Sequence, residues 1–83
     1  MSTQARLAQL LRRDFDIAAE KLVPEATLES LEIDSLRMIE ILFSIEEAFG
    51  VSVPAEPGEL RARVKTFGDL AAYIDTLLPA GPR

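Results

Sequence analysis

Eighty-three residues make one domain with room for a single modest core, and 48% apolar residues suit a folded globule rather than a disordered chain. With no cysteine and no histidine, the chain lacks a disulfide framework, a thiolate or imidazole metal site and a cysteine nucleophile. Its 14 acidic and 9 basic residues give a formal net charge of -5, which argues against nucleic acid as a partner and suits partners presenting Arg and Lys.

Leu7, Leu10, Leu11 and Phe15 recur at helical spacing and predict a first helix over about Thr3 to Phe15, capped by Ser2 or Thr3. From Asp16 to Asp34 the pattern lapses; Pro24 forbids a helix through the middle, and Leu28 and Leu31 are expected to anchor this long connection on the core. So long a loop in so small a domain is uncommon and often functional. A second helix should start near Asp34 or Ser35, both good capping types, and end at Gly50, with Val51 to Pro54 as an extended exit. Glu56 to Arg63 reads as a short third helix held by Leu60. Thr66 and Asp69 have capping-box spacing, with Asp in place of the usual Glu or Gln. Phe67, Leu70, Ala71, Tyr73, Ile74, Leu77 and Leu78 then give a last helix, ended by Pro79 and followed by a frayed tail, 79–83. The expectation is an all-α, four-helix bundle, residues 1–83 as one domain, with a long loop between helices 1 and 2 and a short third helix.

Winding residues 36–49 at about 100° per residue separates two apolar groups. Met38, Ile41, Leu42, Ile45, Ala48 and Phe49 form a broad core side, while Leu36, Ile39 and Phe43 lie opposite, beside Glu40 and Glu47. A small bundle rarely buries two stripes of one helix. The second stripe is therefore expected to be exposed and to dock partners, unless the first helix or the loop covers it.

Ser35 follows Asp34 directly at the expected helix start. A serine there is usually only a cap. A catalytic serine needs a base, yet histidine is absent, the two lysines, Lys21 and Lys65, have no motif linking them to Ser35, and Ile33 and Arg37 stand where a G-x-S-x-G elbow has glycines. No calcium-loop, Walker or dinucleotide pattern occurs, so no metal site is expected. Self-contained catalysis is not expected; a modified serine asks less of its own chain.

Asp34-Ser35-Leu36 in this setting resembles the attachment site of acyl carrier proteins, the phosphopantetheine-dependent carriers. Glu46-Glu47-Ala48-Phe49-Gly50-Val51-Ser52-Val53-Pro54 resembles the family's E-E-x-F-G-hydrophobic-x-hydrophobic-P stretch, and Thr66-Phe67-Gly68-Asp69-Leu70 its opening of the last helix. Each piece is weak alone; together, in order and spacing, they span nearly the whole chain. The resemblance implies a non-catalytic carrier with 4'-phosphopantetheine, taken from coenzyme A, on Ser35, and Asp34 assisting the metal-dependent transfer. Substrates would ride as thioesters to acyl-activating, acyltransferase or condensing enzymes. Leu36, Arg37, Ile39, Glu40, Phe43 and Glu47 are the expected partner contacts.

Two departures stand out. Glu32 lies two residues before the aspartate, where the family often has glycine, and Arg37 occupies a place where housekeeping fatty-acid carriers usually have an acid. A base there repels a basic partner patch and points to a dedicated partner set in a specialised fatty-acid, polyketide or other secondary-metabolite pathway; alternatively Arg37 only pairs with Glu40. Other readings are a peptidyl or aminoacyl carrier, or an unmodified helical interaction module. Arg61, Arg63 and Lys65 read as a solvated basic face. No apolar run approaches bilayer length and no secretory signal is evident, so a cytoplasmic, discrete monomer is expected, with Met1 close before the first helix.

Overall fold

Serine, aspartate and threonine residues cap the starts of three of the described helices. In the computed structural model, which describes residues 2–54 and 56–78, four α-helices follow in order: α1 (Thr3–Phe15), α2 (Ser35–Phe49), α3 (Pro57–Arg63) and α4 (Phe67–Leu77). The expected end at Pro79 and the tail 79–83 lie outside the described residues. Ser2, not Thr3, caps α1, its Oγ accepting the Ala5 N–H at 3.1 Å. Gly50 closes α2 in the left-handed region at φ 67, its N–H bonded to the Glu46 carbonyl, where glycine carries no Cβ penalty. Asp69 completes the capping box of α4 despite its short side chain: Thr66 Oγ1 accepts the Asp69 N–H at 3.0 Å, and Asp69 Oδ2 accepts the Thr66 N–H at 3.2 Å.

Helix α1 packs on α2 and α4, and α3 packs on α2. Leu7, Leu11, Met38, Ile41, Ile45, Leu60, Phe67, Leu70 and Ile74 are fully buried, and the described core contains no buried polar residue. Each such side chain contributes about 1.5–3 kcal/mol by leaving water, so the fold stands on hydrocarbon packing. On α2 the core side is Met38, Ile41, Leu42 and Ile45, with Phe49 half-buried at its end. Ala48 was expected there and is exposed instead; the last turn is finished by Arg6, whose guanidinium lies 4.2 Å from the Phe49 ring centroid and reaches the Ala48 carbonyl at 3.4 Å.

The long connection between α1 and α2 is tightly held. After a 3-10 turn at Ala19–Lys21, Leu22, Leu28, Leu31 and Ile33 all enter the core. Leu28 and Leu31 were expected; Leu22 and Ile33 add to them. The connection also pairs with the start of α4: an isolated antiparallel bridge joins Thr27 and Thr66, Leu28 donates to the Lys65 carbonyl at 3.0 Å, and Phe67 donates to that of Ala26 at 2.8 Å. The segment that delivers the chain to Ser35 is thus part of the core.

Candidate functional site

The site is built where this connection turns into α2. Glu32 takes the left-handed conformation at φ 61, Ile33 buries its side chain, and Asp34 is extended. Asp34 is the N-cap: its Oδ1 accepts the Arg37 N–H at 2.8 Å. Ser35 is therefore the first helical residue and not the cap. Its side chain is exposed, and no hydrogen bond to its hydroxyl occurs among the described residues. The capping reading of Ser35 falls, and the hydroxyl is left free at the positive end of the α2 dipole.

From Ser35 the exposed stripe runs down α2. Leu36 keeps 72% and Phe43 67% of its surface exposed, and Ile39 keeps 37%. Neither α1 nor the long connection covers them. Glu40 and Glu47 are exposed on the same face, so an apolar strip with carboxylates extends about 18 Å along the axis from Ser35. Arg37 sits at the edge of this face: its Nε approaches Glu40 Oε1 at 3.8 Å, one turn on, and its guanidinium lies 5.7 Å from the Phe15 ring centroid on α1. Glu46, paired with Glu47 in sequence, has separate work, its Oε2 accepting the Val53 N–H at 2.8 Å.

Among the described residues, no base bonds the Ser35 hydroxyl and no metal-holding cluster lies beside it. The hollow lined by Glu32, Asp34, Leu36, Arg37 and Glu40 encloses about 220 Å³ and opens to solvent, too small and shallow to sequester a substrate. Lys21 and Lys65 are exposed and neither bonds to Ser35, and no metal-holding cluster of acidic residues occurs among the described residues. The arrangement can offer a hydroxyl to another protein and present a face beside it. Sequence reasoning passed over one member of the site: Arg61 of α3 donates from Nε to the Ile33 carbonyl at 2.6 Å. No periodicity in the sequence points to that bond.

A protein-family model described as the phosphopantetheine attachment site matches residues 5–74. The chain belongs to this family. The carrier is 35% identical over 79 residues to the meromycolate extension acyl carrier protein of Mycolicibacterium aurum, an overlap covering 94% of this chain and 78% of that one. The protein of the same name from Mycolicibacterium smegmatis is also 35% identical, with 77% of its length covered. That of Mycobacterium tuberculosis H37Rv is 34% identical, with 66% covered. The domain shared with them is one to which phosphopantetheine is attached, and carrying acyl groups on that arm is the function of this carrier. In this carrier, the glycine position two residues before the aspartate explains itself: the backbone there is left-handed, and Glu32 adopts it against the preference of a residue with a Cβ.

Proposed function

We propose that Ser35 is the residue that carries the arm, and that the exposed α2 face presents the loaded carrier to its partner enzymes. The observation that supports this reading most is the division of labour at the helix start: Asp34 does the capping, which leaves the Ser35 hydroxyl exposed and unbonded. Ser35 Oγ attacks the phosphorus that bears the pantetheine in coenzyme A, the phosphoanhydride bond breaks, and adenosine 3',5'-bisphosphate leaves. The serine proton passes to a base of the transferase, since no base of this chain bonds the Ser35 hydroxyl among the described residues. Asp34 keeps its Oδ2 unbonded among the described residues, and that oxygen would help hold the magnesium ion of the transferase complex.

Once bound, the arm supplies a thiol that holds cargo as a thioester at high effective concentration for each enzyme it visits. Leu36, Ile39 and Phe43 form the apolar centre of the docking face, Glu40 and Glu47 its rim, and Arg37 biases partner choice. Contacts of this kind are modest and quickly reversible, as a shuttle requires. The cargo class that fits the relatives is an acyl chain under extension in a specialised fatty-acid pathway. The chain acts as a monomeric single domain, as a substrate of its transferase and not as an enzyme.

The test is intact-protein mass after incubation with coenzyme A, magnesium and a permissive phosphopantetheinyl transferase, with Ser35→Ala alongside. One phosphopantetheine gained by the wild type alone is the expected result. A wild type that stays unmodified with several transferases, or a modified Ser35→Ala, sinks the assignment of Ser35.

A further inference from the structure

The sequence pattern gives the basic run Arg61, Arg63 and Lys65 as a solvated face, and Arg63 and Lys65 are exposed. Arg61 departs from that reading. It is half-buried, and its Nε–H bonds the Ile33 carbonyl at 2.6 Å across 28 positions of sequence. This oxygen lies outside the hydrogen-bond ladder of α2, whose first accepting carbonyl is that of Asp34, bonded by the Met38 N–H at 2.8 Å. Among the described residues, Arg61 is the only donor to it.

The carbonyl also sits at a turning point of the backbone. Glu32 is left-handed at φ 61 and Asp34 is extended at φ -94 and ψ -173, and Ile33 between them anchors its side chain in the core. Rotation of the peptide between Ile33 and Asp34 swings the cap and the Ser35 hydroxyl together. The Arg61 bond opposes that rotation, and its origin is fixed because the neighbouring Leu60 is fully buried and seats α3 against α2. A planar guanidinium with a fixed fork suits such a hold better than a flexible ammonium does.

We propose that Arg61 is a positioning residue for the attachment step: from α3 it fixes the peptide that precedes Asp34, and so sets the direction in which the Ser35 hydroxyl meets a transferase. The inference rests on Ser35 being the attachment residue. Arg61 touches neither coenzyme A nor the reacting atoms; it acts through the backbone. A hydroxyl pointing the wrong way binds the transferase normally and reacts slowly, so the effect falls on kcat and not on KM.

The experiment compares wild type, Arg61→Ala, Arg61→Lys, Arg63→Ala and Ser35→Ala as unmodified proteins, with coenzyme A, magnesium and one transferase. Arg61→Ala should lose about tenfold in kcat with KM within about twofold, Arg61→Lys should recover part of the loss, and Arg63→Ala should match wild type. Amide hydrogen exchange of the same unmodified proteins should quicken at residues 33–36 in Arg61→Ala alone. A wild-type kcat for Arg61→Ala, an equal loss in Arg63→Ala, or unchanged exchange at residues 33–36 overturns the proposal. Should Arg61→Ala fail to fold, the wild type still decides: its Arg61 Nε–H must exchange slowly, and a fast-exchanging one overturns the hold. A wild type that accepts no phosphopantetheine removes the assignment of Ser35, while the exchange data separately report whether Arg61 holds the loop.

Discussion

Asp34 and Arg37 are joined through the first turn of α2, the aspartate Oδ1 accepting the arginine backbone N–H at 2.8 Å. This bond satisfies one of the helix's open donors with the residue proposed above to assist the attachment step. Under that proposal stability and modification meet on one carboxylate, and they can be separated. Asp34→Ala should lower stability by about 1 kcal/mol, whereas Asp34→Asn, an equally good cap, should change it by no more than a few tenths. Transfer to Ser35 should fall in both if the charge assists the metal-dependent step. Thermal melts beside mass-resolved time courses check this; a wild-type rate in Asp34→Asn leaves Asp34 with the capping role alone.

The exposed stripe gives a second prediction. Phe43, at 67% exposure, should tolerate replacement by Glu with its helix content intact and stability shifted by about 0.5 kcal/mol or less. Turnover of the loaded carrier by a partner enzyme should drop about tenfold or more if Phe43 anchors the docking face. Ile41→Glu is the contrast, because Ile41 is fully buried and a charge there should unfold the protein. Circular dichroism and partner kinetics on the two variants distinguish surface from core.

Glu32 carries a conformational cost that glycine would not. A left-handed residue with a Cβ costs about 1–2 kcal/mol, and glycine gives back about 0.5–1 kcal/mol of that through its freer unfolded chain. Glu32→Gly should therefore stabilise by about 0.5–1 kcal/mol, read as a higher urea midpoint. A lower midpoint means that the glutamate side chain contributes more than its backbone conformation costs.

Two helical glycines should respond oppositely to alanine. A Cβ at Gly68 would stand 3.0 Å from the Pro24 carbonyl oxygen and 3.2 Å from the Pro24 Cβ, where the Gly68 N–H already bonds that oxygen. Gly68→Ala should destabilise by about 1 kcal/mol even after the helix-propensity gain. A Cβ at Gly58 meets nothing within 4 Å, so Gly58→Ala should stabilise by about 0.4–1 kcal/mol. Denaturant melts of the pair test the close approach of α4 to the connection.

What the sequence made legible follows from repetition. Leu7, Leu10 and Leu11, or Met38, Ile41, Leu42 and Ile45, recur with the helical period, and Ser2, Asp34, Gly50 and Thr66 mark helix ends through local hydrogen bonding that residue type alone reveals. Leu36, Ile39 and Phe43 were legible as a second face for the same reason. Ile33 and Leu22 were not, because a loop has no period and their burial depends on which distant residues close over them. The left-handed turn at Glu32 was signalled only by the family's glycine at that place, and the Arg61 bond to Ile33 by nothing in the sequence. The first has a side chain that hides the backbone demand, and the second joins residues 28 positions apart.

The pairing of Thr27 with Thr66 ties the connection before α2 to the start of α4. The Leu28 N–H and the Ala26 carbonyl find their partners at Lys65 and Phe67, far downstream in the chain. A nascent or truncated chain ending before Lys65 holds every atom of the serine and its cap, yet lacks the backbone that fastens the connection leading to them. With Ser35 as the proposed attachment residue, a chain cut before Lys65 should load poorly, and loading would then also report that synthesis has passed the start of α4.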